Sequence, residues 1–466
     1  MKRNAELQLL DWKSRSSRKP LIVRGARQVG KTWLVESFGK KQFDSMLSIN
    51  LERQVETHVF FNRMEPNRII QELSLYFKTP IRPGQTLLFL DEVQACPKAI
   101  ACLRYFREEM PELHIVAAGS LLDVSLRDLS LSVPVGRIEY LFLNPLTFDE
   151  FLDAIGEDSL VNYLANYHME TEFSMAASAR LSECLRLYFA VGGMPAAVAA
   201  YARQHDLLEV QRELASITTT IQDDFAKYGT RAQQVSLQQI LRHIPRSIGR
   251  KIRYVNISRE TRAEALRAAM ERLELSRIVT LVRHSSANGV PIGAEASESH
   301  FKAILLDIGL CNNLCGLSLP ESDKLLTVHE GRLAEQFIGQ ELRTQGPAFE
   351  DRPLYYWHRE KQDANAEVDY LLANGEQVIP LEVRAGKSGS LKSTQVFLAE
   401  KKRHLAVRLN MDAPSIGTFR ASICHEGRYE DIAYTLLSAP LYLVSQLRRL
   451  LQQHITDGAE FLKPCR

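Results

Sequence analysis

No run of eighteen apolar residues occurs in this sequence, which argues against a helical membrane span. The first residues, Met1-Lys2-Arg3-Asn4-Ala5-Glu6, carry charge without the apolar stretch of a secretory leader. Cysteine is sparse and unpatterned. Its seven residues (Cys96, Cys102, Cys184, Cys311, Cys315, Cys424 and Cys465) are odd in number and form no C-x-x-C pair. They suit the reduced cytoplasm better than a disulfide framework. Cys311 and Cys315 stand four apart with no His or Cys pair nearby, so ordinary buried thiols are expected there rather than a metal. Net charge is also small: the formal value of +2 gives no global field that would draw nucleic acid. Any basic surface must be local.

A chain of 466 residues exceeds one ordinary core, so two to four domains are expected. Residues 1–20 read as a short basic leader with an amphipathic helix carrying Leu7, Leu10 and Trp12. Short apolar runs follow, at Leu21-Ile22-Val23, Leu87-Leu88-Phe89-Leu90 and His114-Ile115-Val116-Ala117-Ala118, separated by helix-length segments. That pattern predicts a buried parallel sheet in an α/β domain. From 147 to 225 the apolar residues recur at helical spacing (Phe148, Phe151, Leu152, then Leu181, Leu185, Tyr188, Phe189), interrupted by a turn at Gly192-Gly193-Met194-Pro195. Over 230–285, a helix with Ile240, Leu241 and Ile244, a second capped by Ser258, a strand from Arg277 and a turn at Asn288-Gly289 fit a winged helix. The last third returns to α/β: a helix over 330–342, then strands over 353–358, 366–372 and 377–383, with Asn374-Gly375 as a hairpin turn.

Gly25-Ala26-Arg27-Gln28-Val29-Gly30-Lys31-Thr32 satisfies every position of G-x-x-x-x-G-K-[ST], the Walker A loop, between a strand and a helix. Glycines let main-chain amides curl around phosphates, Lys31 brings a point charge to the β- and γ-phosphates, and the Thr32 hydroxyl ligates Mg²⁺. The apolar run ending in Asp91-Glu92 supplies the Walker B partner. Asp91 would hold the Mg²⁺ shell, and Glu92 would orient and polarise the attacking water. Ser120, after the third run, is either a γ-phosphate sensor or the cap of a helix over 121–126. Arg137 is either an arginine finger, in cis or from a neighbouring subunit, or a solvated arginine.

In their order, these motifs resemble one family. The Walker loop, Asp91-Glu92-Val93-Gln94, Ala118-Gly119-Ser120, Gly136-Arg137 and Asn144-Pro145-Leu146 are similar to those of prokaryotic AAA-type ATPases whose C-terminal half is a domain of unknown function resembling restriction endonucleases. Gly192-Gly193-Met194-Pro195, Leu306-Asp307-Ile308-Gly309-Leu310 and Glu382-Val383 extend the resemblance over nearly the whole chain. It implies an AAA-like P-loop core over 1–146, a helical lid over 147–228, a winged-helix-like segment and connector over 229–325, and a nuclease-like α/β domain over 326–466.

Asp369 and Glu382, with Glu335 on the preceding helix, are laid out as in a D…E-x-K nuclease site, where carboxylates hold a divalent metal. The lysine position is Arg384, which stays protonated and cannot serve as a base; Lys387 lies three residues on. An active metal nuclease, a degenerate nuclease fold used for binding, and no site at all stay open. Arg242, Arg246, Arg250, Lys251, Arg253 and Arg259, with His243 and Tyr254 among them, could follow a DNA backbone. The expected function is an ATP-binding, Mg²⁺-dependent ATPase in the cytoplasm that couples nucleotide state to nucleic-acid binding or processing. The alternative is an ATP-dependent switch or scaffold that recognises a protein, with an inactive nuclease-like domain. Oligomers are compatible with either.

Overall fold

The structure is a computed structural model that describes residues 1–120, 122, 124, 136–316, 322–359, 366–385, 391–425 and 428–458. The chain forms two compact units. The first comprises Met1–Leu146, Met270–Ile278 and Gly346–Asp351, and the second the remainder.

Unit one is built on five strands: β1 (Leu21–Arg24), β2 (Ser45–Asn50), β3 (Thr86–Asp91), β4 (His114–Gly119) and β5 (Glu139–Phe142). They pair in parallel in the order β2-β3-β4-β1-β5. Every residue of β3 and β4 is buried, as the continuous apolar runs demand. The two strands the runs did not announce, β2 and β5, lie at the edges. In β2 only Leu47 and Ile49 are buried, which writes an alternation rather than a run. Helices α1 (Ala5–Ser14), α2 (Lys31–Gln42), α3 (Pro66–Tyr76) and α4 (Pro97–Glu109) complete this unit.

The leader reading is corrected by α1. Its buried face is Ala5, Leu9 and Trp12, at spacings of four and three, whereas Leu7 and Leu10 face solvent. The Trp12 indole donates to the Lys19 carbonyl at 2.8 Å and stands edge-on to His114. Residues 5–14 therefore belong to the core of the unit.

Unit two opens with five helices: α5 (Phe148–Ala154), α6 (Asp158–Asn166), α7 (Met175–Val191), α8 (Pro195–Gln204) and α9 (Leu207–Asp224). The apolar residues that recur at helical spacing are all buried there, and Phe148 and Tyr188 stack edge-on with Phe337. Next come α10 (Arg231–Ser247), α11 (Tyr254–Ile257) and α12 (Ala263–Leu275), the last of which runs into unit one from Met270. Ser258 does not cap α12. Its hydroxyl accepts from the amides of Glu260 and Thr261 in a turn that ends before the helix begins.

The turn expected at Asn288-Gly289 lies in the connection between β6 (Val279–Ser285) and a strand that was not expected, β7 (Ala296–Leu305), and the two pair as an antiparallel hairpin. It starts at Val279, because Arg277 has a left-handed backbone, φ +61°. β6 also pairs in parallel with β8 (Leu354–His358), and β8 pairs with β9 (Glu367–Val368), so the hairpin is half of a four-stranded sheet. The strand expected over 366–372 is interrupted at Asp369. β9 belongs to this sheet, while β10 (Tyr370–Asn374) opens a second one with β11 (Gln377–Val383), β12 (Leu405–Asn410), β13 (Ser415–His425) and β14 (Arg428–Pro440). β10 and β11 turn through Gly375-Glu376, one residue later than the expected Asn374-Gly375, because Asn374 is still paired with Gln377; Gly375 has φ +58°. Helices α13 (Ile308–Leu314), α14 (Ser322–Leu342), α15 (Lys392–Lys401) and α16 (Leu447–Gly458) complete the unit. Among the described residues no helix is long and apolar enough to cross a membrane.

Two of the weaker motifs meet in this unit. The buried Asp307 carboxylate caps α13 by accepting from the Leu310 amide at 3.1 Å, and it accepts from Gly193 at 2.6 Å. Gly192 has φ +73°, and a Cβ there would lie 2.3 Å from the same carboxylate. Gly192-Gly193 is therefore glycine so that the chain can turn onto Asp307.

Candidate functional site

Strand β1 delivers the loop 25–30 to the start of α2. The loop follows a path that ordinary side chains resist. Gln28 and Gly30 have φ of +65° and +91°. A Cβ on Gly25 would fall 2.3 Å from the Leu143 carbonyl oxygen. Reversals of hand in successive residues are how a main chain makes a concave, amide-lined nest for an anion. At its end Lys31 is buried, and its ammonium donates to the carbonyls of Gly25 at 3.0 Å and Ala26 at 2.8 Å. Burial pulls the Lys31 ammonium down to about 8, against the pull of Glu92 and Asp91, while Arg27 and Arg277 lower it further. The charge stays mostly on the lysine at neutral pH.

Because β4 lies between β1 and β3, the C-terminal ends of three adjacent strands carry the loop, Ser120 and Asp91. The Thr32 hydroxyl donates to Asp91 Oδ2 at 3.1 Å, and the Asn50 amide reaches the same oxygen at 3.3 Å from the end of β2. Asp91 is buried. Burial and neighbouring Glu92 push its carboxyl up, against the hydrogen bond from Thr32. Glu92 itself sits in a left-handed conformation, φ +49°. Its Oε2 accepts from the Gln94 amide at 2.6 Å and from the Ser120 hydroxyl at 3.4 Å. Strain in a non-glycine residue of this kind is common where a side chain must be aimed. Gly119 makes room for Gln94: a Cβ there would meet Gln94 Oε1 at 2.3 Å.

The residues fit a magnesium nucleoside triphosphate. A glycine-lined cradle too tight for a Cβ, a buried ammonium and a hydroxyl–carboxylate pair are the donors it requires. All of the 25–32 loop, Asp91, Glu92 and Ser120 come together. Arg137 is placed elsewhere, on the surface with Glu108 at 3.0 Å, where Arg104 also reaches the same carboxylate. The cap reading for Ser120 concerns 121–126, of which only Leu122 and Val124 are described.

Sequence reasoning missed Asn50 and Arg277, and it named Gln94 within the Asp91-Glu92-Val93-Gln94 motif without giving it a role. Asn50 ends a strand whose alternation Met46-Leu47-Ser48-Ile49 was the available signal. Arg277 follows α12 with its guanidinium over the Phe142 ring and paired to Asp351 at 2.8 Å, and nothing local marks it.

In unit two, Glu335 on α14, Asp369 between β9 and β10, and Glu382 on β11 are electrostatic neighbours. Burial first, then Asp369, pushes both glutamates up. Arg384 pairs with Glu382, and Asp369 Oδ2 accepts from the Val383 amide at 2.9 Å. Two residues absent from the sequence reading join them: Glu367, and the buried Lys302 of β7. Among the described residues no three His, Cys, Asp or Glu side chains are grouped as donors to a metal ion. Lys387 lies outside the described residues. Arg242, Arg246, Arg250, Arg253 and Arg259 are exposed, whereas Lys251 is half-buried near Glu367.

A family model described as an AAA domain matches residues 17–152. Two others, described as domains of unknown function, DUF8612 and DUF4143, match 182–321 and 330–418. No curated protein matches the chain. Among solved structures, the Walker-type ATPase of Pyrococcus abyssi is similar over 67% of this chain and 95% of its own, at 17% identity and a TM-score of 0.43. The Aeropyrum pernix ORC2 protein, in its ADPNP–ADP complexes, is similar over 71% of this chain and 95% of its own, at 10% identity and a TM-score of 0.36. Residues 17–152 are an AAA-type P-loop domain, followed by domains of unknown function.

Proposed function

We propose that this chain is a Mg²⁺-dependent ATPase whose nucleotide state governs nucleic-acid binding or processing by its C-terminal half. The observation that carries the ATPase reading is the 3.1 Å pairing of Thr32 with Asp91 beside the Lys31 loop. Thr32 and Asp91 are the residues that would hold the magnesium ion, which when bound neutralises phosphate charge. Lys31 draws the phosphate oxygens by its charge. Glu92, aimed by Gln94 and Ser120, is the base that orients a water and takes its proton. Arg137 lies on the surface with Glu108 and is not brought to this site, so a finger role would need a neighbouring copy whose Arg137 leaves that exposed pair.

For the nucleic-acid half, the support is the exposed arginine series from Arg242 to Arg259. Five exposed guanidinium groups within eighteen positions suit a phosphate backbone better than a protein core. The second reading, a switch that recognises a protein, has its own support. Among the described residues β13 pairs with β14 alone and exposes Phe419, and Tyr429 is exposed on β14. An edge strand with exposed aromatics is a surface to which another chain can add. ATPase rate measured with and without single- and double-stranded DNA across a salt series separates the two. Stimulation or tightened nucleotide affinity that fades with salt supports the first reading. A flat response at low salt supports the second.

A further inference from the structure

In unit two, three carboxylates converge on an ammonium ion of the chain itself. Lys302 projects from β7 and is 3% exposed. Its Nζ lies 2.7 Å from Glu367 Oε1, 3.6 Å from Glu335 Oε2 and 3.6 Å from Asp369 Oδ1, and 5.2 Å from the centre of the Tyr356 ring. The carboxylates come from a helix, a strand of one sheet, and the break where the chain passes to the next sheet. The fourth acid, Glu382, has its own cation in Arg384 and a hydroxyl partner, Thr394, at 3.4 Å.

Clustered, partly buried acids need a compensating positive charge, since a desolvated carboxylate left alone is costly. A divalent ion held by oxygen ligands is one solution, and it needs open directions around the carboxylate oxygens. Here an oxygen from each of three acids is turned toward one ammonium, in the space such an ion would have to enter. The close approach of Gly249 tightens the arrangement further. A Cβ at Gly249 would lie 2.6 Å from Glu335 Oε1, so this side of the cluster is packed by main chain.

We propose that Lys302 is the resident cation of this cluster, held where a divalent metal would otherwise sit, so that the cluster takes no metal and supports no metal-dependent cleavage of a phosphodiester, which leaves binding as the part of the proposed function it can serve. The inference stands independently of the ATPase reading, because no residue of the nucleotide site enters it. It has a converse: taking away the ammonium should convert the cluster into an oxygen-ligand site for Mn²⁺ or Mg²⁺.

The experiment is Mn²⁺ binding to the full-length, nucleotide-free chain, followed by the electron paramagnetic resonance of free Mn²⁺ and by thermal melting. The wild-type chain is expected to show no Mn²⁺ site that depends on Asp369. Lys302→Ala is expected to melt lower, to bind one Mn²⁺, and to recover part of the lost melting temperature when Mn²⁺ is added. Asp369→Asn in the same background should abolish that binding. A wild-type site lost in Asp369→Asn would overturn the proposal, since Lys302 would then be a lysine that works beside a metal rather than in place of one. So would a Lys302→Ala chain that melts as the wild type and ignores Mn²⁺. Should Lys302→Ala not fold, the wild-type titration still decides, together with reductive methylation of the native chain. Lys302 is expected to resist methylation while the exposed lysines react, and ready modification of Lys302 without unfolding would refute its role.

Discussion

The Lys31 ammonium donates to the carbonyl oxygen of Ala26 at 2.8 Å, so the loop's lysine is held by the loop's own main chain. A second bond, to Gly25, fixes the same group from the neighbouring carbonyl. The lysine is thereby aimed before any phosphate contacts it. Replacing it with alanine leaves two carbonyls to water and takes a cation away from Asp91 and Glu92, a loss that the buried Asp91, whose carboxyl is already pushed up, can relieve by taking a proton. We expect Lys31→Ala to fold with a melting temperature close to wild type. Each charge-assisted hydrogen bond to phosphate is worth about 1.5–3 kcal/mol, so nucleotide affinity should fall by roughly 10- to 150-fold or more. Titration with a fluorescent ATP analogue measures it.

The same burial sets a pH limit. Lys31 is lowered to about 8, and only its protonated form attracts phosphate. Below that value binding needs no proton. Above it the free protein is increasingly neutral at Lys31, and binding must take a proton up. ATP affinity in magnesium buffer is therefore expected to be flat from pH 6 to 7.5 and to decline above about 8, approaching tenfold per pH unit. Calorimetry in buffers of different ionisation heat should detect the proton uptake. An affinity that holds steady to pH 10 would contradict this picture of the loop.

Glu92 accepts from two side chains that touch it from different elements, Gln94 and Ser120. Glu92→Gln preserves shape and removes the base. Nucleotide affinity should stay within about threefold of wild type, while kcat falls by about 10²–10⁴. Ser120→Ala removes one of the groups that aims Glu92 and should give a smaller loss of kcat with KM little changed. Equal losses in affinity and turnover for Glu92→Gln would move that residue from chemistry to binding.

Asp307 joins α13 to the Gly192-Gly193 turn through buried amides. Burial pushes its carboxyl up to about 6, against the four amide bonds that favour the anion. Asp307→Ala leaves the amides of Gly193 and Leu310 without their partner and should cost about 1–3 kcal/mol in denaturant unfolding of that unit. Because the native carboxyl holds its proton more tightly than the unfolded one, this group's contribution to stability falls as pH rises from about 4 to about 6. In Asp307→Ala that part of the pH dependence should disappear.

The parts of the site that the sequence disclosed are those whose chemistry is written in consecutive residues. The Walker loop needs eight neighbours, and the acidic pair needs one apolar strand with its last two residues, so both were legible at once. Lys302 was not, because the polar residues Ser297-Glu298-Ser299-His300 ahead of it carry no apolar pattern, and only the paired sheet reveals that the strand enters the interior at Phe301. Asn50 was hidden for the opposite reason: an edge strand needs few apolar residues and leaves a faint trace. Asp369 falls inside the strand expected over 366–372, and it is the joint between two sheets. Side chains at joints take their partners from the tertiary fold, which local pattern does not encode.

The buried guanidinium of Arg3 lies against main chain at two distant places, the carbonyl of Val29 inside the phosphate loop and that of Asn144 beyond β5. One side chain near the start of α1 thus braces the nucleotide cradle across the sheet. Trimming of the first four residues as though they were packaging would remove that brace and disturb the very loop that such a preparation sets out to assay.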